Sequence, residues 1–357
     1  MSRKIYDLLG KLKLKLQIEG ISYDQNIFQN NDYSGVYFHL RDDYTKSSAP
    51  VYVARKGKAL HFNAHRIPLT MEYNEFIAEI ERPYQCLMSK LNGKDFRDIC
   101  NIEIDGHLAI TVNHHCTYVS SNQACKFCGI SNWRDANDRS RRNLIEAVKL
   151  AMDMGEVKHI SITTGTMPTP DRGIKGILNL LHTLHNEVNL GKLPIFAEFE
   201  PPQDIKILEE LKNAGVRTVA CNLEFLDDNV RKQLMPGKGS IPYEIYAKTW
   251  DACSRLFGKS QVFSNIMMLD SDNSSTVQRI SNMISQGCIP SLGIMYMDPH
   301  SSLKNSLLIS YEKALSTLQT TVMMLKENGK SDPRKALAGC HRNGAYSTIN
   351  EFYAATE

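Results

Sequence analysis

Apolar residues follow two different periods over the C-terminal two-thirds of the chain. Short apolar runs rich in β-branched residues predict six strands, and apolar positions spaced three or four apart predict helices between them. The predicted strands are HLAITVNHH (107–115), HISITTG (159–165), LPIFAEFE (193–200), VRTVACNLE (216–224), QVFSNIMML (261–269) and IPSLGIMYM (289–297). The predicted helices span 141–155, 174–188, 204–215, 228–235, 241–258 and 274–287, and the third has Asp204 as its N-cap and Gly215 just beyond its end.

Strands that alternate with helices predict a parallel sheet with right-handed crossovers. We therefore expect an α/β fold over residues 106–301, a partial or complete (β/α) TIM-type barrel. In such a barrel the functional groups lie at the C-terminal ends of the strands. Polar residues recur at those ends, in TTGT (163–166), EFEPP (198–202), CNLEF (221–225), MMLDSD (267–272) and MYMDPH (295–300).

The two ends of the chain have other patterns. Residues 1–105 predict an N-terminal accessory region of mixed α/β type, with short antiparallel strands at 36–40, 50–57 and 58–67 and a mixed or helical stretch at 72–92. Residues 302–357 predict a C-terminal extension with one helix at 310–327. A polar break, ENGKSDP, and the segment KALAGCHRNGAYSTINEF follow that helix.

Composition limits the class of protein. Of the 357 residues, 42% are hydrophobic and 23% are charged, and the formal net charge is +3. This charge is too small to predict binding to nucleic acid or to an acidic membrane surface. We find no secretory signal and no apolar run long enough to span a membrane, so we expect a cytoplasmic protein. Because disulfides are rare in that compartment, the nine cysteines are first interpreted as thiols or ligands.

Three of the cysteines stand together in HHCTYVSSNQACKFCGI (114–130). They directly follow the first predicted strand and therefore occupy the first βα loop. A structural zinc site needs four ligands, and only His114 or His115, adjacent to Cys116, could supply the fourth. A CxxC redox motif does not need Cys116. An iron–sulfur cluster on three thiolates fits better, because it leaves one iron open as a catalytic site requires.

The chain resembles a known family over roughly its C-terminal two-thirds. The matching stretches are ACKFCGI (124–130), TTGTMPTPDRG (163–173), EFEPPQD (198–204), NLEFLDDNVRKQLMPGKGSI (222–241), FGKSQVFS (257–264) and KALAGC (335–340). They resemble a radical S-adenosylmethionine (SAM) group that is distantly similar to biotin and lipoyl synthases and is often encoded beside a nitrilase. The common radical SAM spacing is CxxxCxxC, whereas eight residues separate Cys116 from Cys125 here.

The resemblance implies an enzyme with two cofactors, a [4Fe–4S] cluster on Cys116, Cys125 and Cys128, and SAM on the open iron. Reductive cleavage of SAM would give a 5′-deoxyadenosyl radical that abstracts hydrogen from a small-molecule substrate, in natural-product or cofactor biosynthesis. It also implies an electron donor such as flavodoxin or ferredoxin.

The resemblance further implies roles for individual residues. The candidate cofactor-binding residues are Phe127, Thr164, Gly165, Thr166, Glu200, Asn222, Glu224 and Arg231. Phe127 would cover the cluster, Gly165 would allow close backbone approach, and Arg231 would pair with the SAM carboxylate. The alternative for Glu224 and Arg231 is a scaffold ion pair. The candidate catalytic residues are Tyr118 and Tyr296, as hydrogen-atom relays, and Asp298, as a polar substrate contact.

The tail departs from the family pattern. Where the family is expected to have a motif close to GCxRCGAC, this chain has GCHRNGAYS, with Asn343 and Tyr346 in place of two cysteines. Because Cys340 alone cannot hold a second cluster, we expect one cluster. Two alternatives stay open: a sulfur insertion like that of biotin or lipoyl synthase, and a non-catalytic protein stabilised by zinc or by a cluster.

Overall fold

The computed structural model describes residues 1–27, 35–44, 48–53, 56–82, 84–129, 140–294, 309–329 and 331–357. Within these ranges the six predicted strands form one parallel sheet, which confirms the predicted α/β architecture. A seventh strand, antiparallel, is added at the edge beside the first. The sheet strands are β9 (Asn101–Glu103), β10 (His107–Thr111), β11 (His159–Thr163), β12 (Ile195–Glu198), β13 (Val216–Ala220), β14 (Val262–Met268) and β15 (Ile289–Ile294).

These seven strands lie side by side in sequence order, from β9 at one edge to β15 at the other. The sheet curls into a half-barrel, so the partial form of the predicted barrel is the one observed. Helices connect the parallel strands, and each buries an apolar stripe. The helix of residues Ile174–Glu187, for example, buries Ile177, Leu181 and Leu184, which recur at helical spacing.

The helices of the half-barrel agree with the predicted ones to within a few residues, except for the single turn at Thr117–Ser120, which was not predicted. They are α3 (Thr117–Ser120), α4 (Arg141–Asp153), α5 (Ile174–Glu187), α6 (Ile207–Asn213), α7 (Asp228–Leu234), α8 (Tyr243–Phe257) and α9 (Ser274–Ser285). The prediction that Asp204 caps α6 is wrong. That helix begins after Lys206, and the Asp204 carboxylate accepts a hydrogen bond from the Lys206 backbone N–H.

The first and fourth parallel strands end earlier than predicted. β10 ends at Thr111 rather than at residue 115, and β13 ends at Ala220 rather than at residue 224. Beyond these points the chain no longer makes regular ladder bonds. Glu224 still forms an isolated parallel bridge with Ile266. The polar residues that follow both strands therefore lie in loops above the sheet.

The N-terminal region has its own hydrophobic core, to which Leu9, Val36, Phe38 and Phe76 belong. Its first helix, of 17 residues, was not predicted. Within the predicted antiparallel strand at 58–67, residues Leu60–Phe62 instead pair in parallel with Ile21–Tyr23, a strand that was not predicted. The elements are α1 (Arg3–Glu19), β1 (Ile21–Tyr23), β2 (Val36–Leu40), β3 (Ala49–Val51), β4 (Leu60–Phe62), β5 (Arg66–Pro68), β6 (Phe76–Ile80), β7 (Lys90–Leu91), β8 (Lys94–Asp95) and α2 (Phe96–Ile99).

The C-terminal extension contains α10 (Tyr311–Asn328), α11 (Cys340–Asn343) and α12 (Ile349–Ala355). Its tail enters the concave face of the half-barrel. The imidazole of His341 stacks on Phe263 of β14, 4.2 Å between ring centroids, and its Nδ1 lies 3.1 Å from Ser291 Oγ of β15. Burial lowers the pKa of His341 to about 3, so this ring is neutral. None of the helices described for this chain is long and apolar enough to cross a membrane.

Candidate active site

The cysteine loop is fixed to the loop that follows β11 and to the last residue of α7. The Thr117 backbone N–H donates to the Thr166 carbonyl (2.8 Å), and the Lys126 N–H donates to the Leu234 carbonyl (2.8 Å). Between these bonds the eight-residue spacer folds into the single turn of α3. The loop is therefore held across the C-terminal ends of the strands.

Three thiols meet in this loop. Cys116, Cys125 and Cys128 are all partly exposed, whereas Cys86, Cys100, Cys221, Cys253 and Cys288 are buried. Burial raises the pKa of Cys125 to about 12, and the charges of Cys128 and Cys116 act in the same direction, so the three sulfurs lie within electrostatic reach of one another.

The donor set fits an iron–sulfur cluster better than a zinc ion. Among the described residues, no three His, Cys, Asp or Glu side chains are grouped closely enough to hold one metal ion. A zinc ion would need its sulfurs at about 2.3 Å from one centre. A cube of four irons takes its thiolates further apart and is bound by cysteine alone.

Apolar side chains surround the second cysteine, Cys125, and the neighbouring Phe127. Cys125 and Phe127 pack against a hydrophobic cluster formed by Phe225, Leu234, Met235, Met267 and Leu269. The ring of Phe127 meets that of Phe225 edge-on, 5.6 Å between centroids. This arrangement agrees with the predicted role of Phe127 as a cover, because an apolar shell limits the access of water to a metal centre.

The spacer positions Tyr118. Its ring lies against Gly237, where an added Cβ would overlap the ring atoms. Its hydroxyl donates to Glu200 Oε1 (2.9 Å). Burial and the neighbouring Glu200 carboxylate raise the pKa of Tyr118 far above its usual value, so the phenol keeps its proton.

Glu200 joins three segments of the site. Besides Tyr118, it accepts a hydrogen bond from Thr166 Oγ1 (3.2 Å), and its Oε1 lies 3.6 Å from Arg172 Nε. Burial raises its pKa, whereas Lys238 and these partners lower it. Because both carboxylate oxygens already have protein partners, Glu200 ties the loops together.

The backbone of the TTGT segment packs closely against the residues that precede Cys116. An added Cβ on Gly165 would overlap the carbonyl oxygen of His115, and the Gly165 N–H donates to the Asn113 carbonyl (2.7 Å). The Thr164 hydroxyl donates to the Gly165 carbonyl (3.1 Å). Since the Thr166 carbonyl also accepts from Thr117, this segment fastens the cysteine loop to the second strand.

Glu224 pairs with Lys238, a residue that the sequence analysis missed. Lys238 Nζ lies 2.8 Å from Glu224 Oε1, and both side chains are largely buried. Burial lowers the pKa of Lys238, but Glu224, Tyr246 and Cys125 together raise it well above the usual value. The backbone of Glu224 is left-handed, with φ of 72°. A side chain held in this sparsely populated conformation is typical of functional sites.

Asn222 links the fourth strand to its neighbours. Its Oδ1 accepts from the Asn265 backbone N–H (2.9 Å), and its side chain also hydrogen-bonds to Glu198, the last residue of β12. Burial and the nearby Glu224 carboxylate raise the pKa of Glu198 from 4.5 to about 7. Glu198 is thus a second carboxyl group in the site that the sequence analysis did not select.

Arg231 is committed to the scaffold. It is 1% exposed, its NH1 donates to Asp228 (3.1 Å), and its NH2 donates to the Ile241 carbonyl (3.0 Å). Its guanidinium also lies over the Tyr246 ring, 5.1 Å from the centroid. These contacts favour the scaffold ion pair over a contact with SAM. Lys238, by contrast, acts electrostatically on Cys125 of the cysteine loop.

Two predicted residues cannot be compared with the structure, because Tyr296 and Asp298 lie outside the described residues. Of the residues that were missed, Lys238 had a signal in the sequence. It stands between glycines in PGKGS, and such a turn allows close approach to neighbouring loops. For Glu198, the only signal in the sequence was its position at the end of a predicted strand.

Comparison with known proteins identifies the family. Residues 117–284 match the model of the radical SAM superfamily, over a segment that contains Cys125, Cys128 and β11 to β14. The bacteriochlorophyllide c C-7(1)-hydroxylase of Chlorobaculum limnaeum is 25% identical over 154 residues. That match covers 41% of this chain and 38% of the hydroxylase, so the chain spans about two-fifths of its relative's length.

Solved structures with a similar fold include two enzymes. HydG, a maturase of the [FeFe]-hydrogenase, is 13% identical with a TM-score of 0.48, covering 61% of this chain and 50% of HydG. Methylornithine synthase (PylB) is 12% identical with a TM-score of 0.47, covering 70% of this chain and 69% of PylB. The assignment rests on the family model, in agreement with the cysteine loop at the end of the first parallel strand. Residues 117–284 form a radical SAM domain, and the chain is an enzyme of that class.

Proposed function

We propose that the cysteine loop holds a [4Fe–4S] cluster, that SAM binds beside it, and that the enzyme abstracts a hydrogen atom from a small molecule. One observation carries the proposal. Cys116, Cys125 and Cys128 are partly exposed, lie within electrostatic reach of one another, and are fixed at the C-terminal edge of a parallel half-barrel. When bound, the cluster and SAM supply reductive cleavage of the sulfonium, which yields methionine and a 5′-deoxyadenosyl radical.

The chain's own groups support this use in three ways. The apolar cluster around Cys125 and Phe127 keeps water from one side of the thiolates. Lys238 supplies a positive charge near Cys125, and a lysine so placed can attract the carboxylate of SAM. Glu224, which accepts from Lys238, can share its second oxygen with a hydroxyl of the ribose.

Tyr118 acts in this proposal as a positioning residue. Its hydroxyl donates to Glu200, and its ring packs on Gly237 in the turn that carries Lys238. It therefore connects the cysteine loop both to the third strand and to the turn of the cation. A relay of hydrogen atoms through Tyr118 would require breaking its bond to Glu200.

The reaction after hydrogen abstraction is less constrained. A sulfur insertion that consumes a second cluster would need further thiolates, and the tail brings only Cys340 to the inner face. The buried Cys221, Cys253 and Cys288 are on or next to the strands and helices of the core. We therefore keep the single-cluster enzyme, without assigning its final product, as the proposed function.

Anaerobic reconstitution tests the proposal. We expect about four iron atoms per chain, and 5′-deoxyadenosine on addition of SAM and dithionite, with reduced flavodoxin or ferredoxin able to replace dithionite. Alanine at Cys116, Cys125 or Cys128 should abolish both signals. Alanine at Cys340 is the matched control and should leave the iron content unchanged. Bound zinc without iron, or no cleavage of SAM, would contradict the proposal.

A further inference from the structure

A cavity of about 260 Å³ lies on the concave face of the half-barrel, below the candidate active site. Its walls come from the inward-facing side chains of β10, β11 and β12 and from the C-terminal tail. On the strand side it reaches from His107 to Thr163 and Glu198. The tail contributes Cys340 and Tyr346. The tail therefore covers part of the open half-barrel and leaves a small pocket that is still partly open to solvent.

Specific contacts hold the tail in this position. The Gly339 N–H donates to His159 Nδ1 (3.2 Å), and Asn343 Nδ2 donates to the Ile104 carbonyl (3.3 Å). From the N-terminal region, the buried Lys13 donates both to the Gly344 carbonyl (2.9 Å) and to Glu351 of α12 (2.7 Å). With anchors from both sides, the tail is a fixed wall of the cavity.

The polar part of the wall combines acidic groups with His107, Ser161, Thr163 and Asn343. Glu198, the thiol of Cys340 and the phenol of Tyr346 lie within electrostatic reach of one another, because each acid raises the pKa of the next. Glu103 also lines the cavity, 3.3 Å from the imidazole of His107. Among the described residues of the wall there is no lysine or arginine. The nearby Lys238 is paired with Glu224.

The cavity adjoins the cofactor side of the site. Thr163 is the first residue of TTGT, and Glu198 stands two residues before Glu200. The charge of Glu224 also raises the pKa of both Glu198 and Tyr346. A molecule in the cavity would thus lie between the tail and the residues proposed to bind SAM.

We propose that this cavity binds the substrate, and that the substrate carries an amino group whose ammonium form pairs with Glu198. This inference rests on the proposed function and adds a substrate class to it. A largely buried carboxyl group surrounded by other acids is stabilised in its charged form by a cation. Among the described residues the wall has no lysine or arginine, and its imidazole, His107, lies against Glu103 rather than Glu198, so the ligand is expected to bring the cation. An ammonium group also provides three hydrogen-bond donors to the oxygens of the wall.

Cys340 provides a probe inside the cavity. Its thiolate attacks a methanethiosulfonate, so that a mixed disulfide forms and methanesulfinate leaves. The test compares two reagents of similar size, the cationic 2-aminoethyl and the anionic 2-sulfonatoethyl methanethiosulfonate. Both are applied to the cluster-loaded enzyme without oxygen, and labelling of the Cys340 peptide is followed by mass spectrometry. For each reagent, the rate of Cys340 labelling in the folded enzyme is divided by the rate in the unfolded protein.

We expect the normalised rate of the cationic reagent to exceed that of the anionic one by at least about tenfold, as electrostatic attraction in a cavity predicts. Glu198→Gln should reduce this preference several-fold, since it removes one of the two carboxylates. Glu187→Gln is the matched control, because Glu187 is exposed on α5 and pairs only with Lys149 among the contacts described. It should leave the preference unchanged.

Equal rates for the two reagents would refute an ammonium substrate, and labelling of Cys340 only after unfolding would refute an accessible cavity. The same preparations are assayed for 5′-deoxyadenosine. If SAM is cleaved but Cys340 shows no preference for the cation, the inference fails and the proposed function stands. If SAM is not cleaved, the proposed function fails whatever the labelling shows.

Discussion

Glu198→Gln should make the protein more stable at alkaline pH. Burial and the Glu224 charge raise the pKa of Glu198 from 4.5 to about 7. Between these values the native state keeps a proton that the unfolded chain releases, so the stability contributed by this group falls as pH rises through that window. Above pH 7 the ionised Glu198 lowers the free energy of unfolding by at most about 3 kcal/mol, the value of a pKa shift of this size. Glutamine keeps the shape and the hydrogen bond to Asn222 but never ionises.

The assay is thermal unfolding of the wild type and the variant from pH 4.5 to 8.5. The difference in melting temperature should be near zero at pH 4.5 and should reach on the order of 5 °C in favour of glutamine at pH 8.5. Glu187→Gln, on the exposed side of α5, should show no such trend. A melting-temperature difference that does not change with pH, or a variant less stable than the wild type at pH 8.5, would refute the idea that ionisation of Glu198 destabilises the native state.

Three further predictions concern the loop and the tail. Gly237→Ala should lower the iron content and the stability, because the new Cβ overlaps the Tyr118 ring while the backbone φ of −76° suits alanine. Adding Tyr118→Ala should cause no further loss of iron or stability, and additive losses in the double variant would contradict the contact. Lys238→Met should weaken SAM binding about tenfold or more in equilibrium dialysis, since it leaves Glu224 buried without its cation. Lys238→Arg should keep much of the affinity for SAM, and an unchanged affinity in Lys238→Met would exclude a role of Lys238 in binding SAM. Cys340→Ala should keep the cluster absorbance and iron content of the wild type, and loss of iron would show that the tail holds a cluster.

The sheet could be predicted because its signal is local. Strands such as HISIT and helices such as IKGILNLLHTLHNE show their period within a few residues, and strict alternation leaves one parallel topology. The strand ends were less predictable, because single apolar residues such as Val112 and Leu223 continue beyond Thr111 and Ala220, where the regular strands end. The helix α1 was missed because its apolar pattern is interrupted by lysines, of which Lys13 is buried in an ion pair with Glu351.

The sequence also does not show which of two cations, Arg231 or Lys238, lies near the cysteine loop. Arg231 lies on α7, a helix of seven residues, too short for its periodicity to show which side is buried. In the structure the guanidinium lies over the Tyr246 ring, and two of its nitrogens donate to Asp228 and to the Ile241 carbonyl. Lys238, in the following turn, reaches the carboxylate of Glu224 instead.

The two departures from the family pattern meet at the end of β12. The long spacer places Tyr118 against Glu200, and the altered tail places Cys340 and Tyr346 within reach of Glu198. Neither contact is visible in a local pattern, since Tyr118 and Glu200 are 82 residues apart in the chain. Glu200, with hydrogen bonds to Tyr118 and Thr166, is an element of the scaffold, whereas Glu198, with a raised pKa and no cation of its own in the cavity wall, is the group left to interact with a ligand. The unusual parts of this sequence thus divide two neighbouring carboxyl groups into one that holds the site together and one that is available for a substrate.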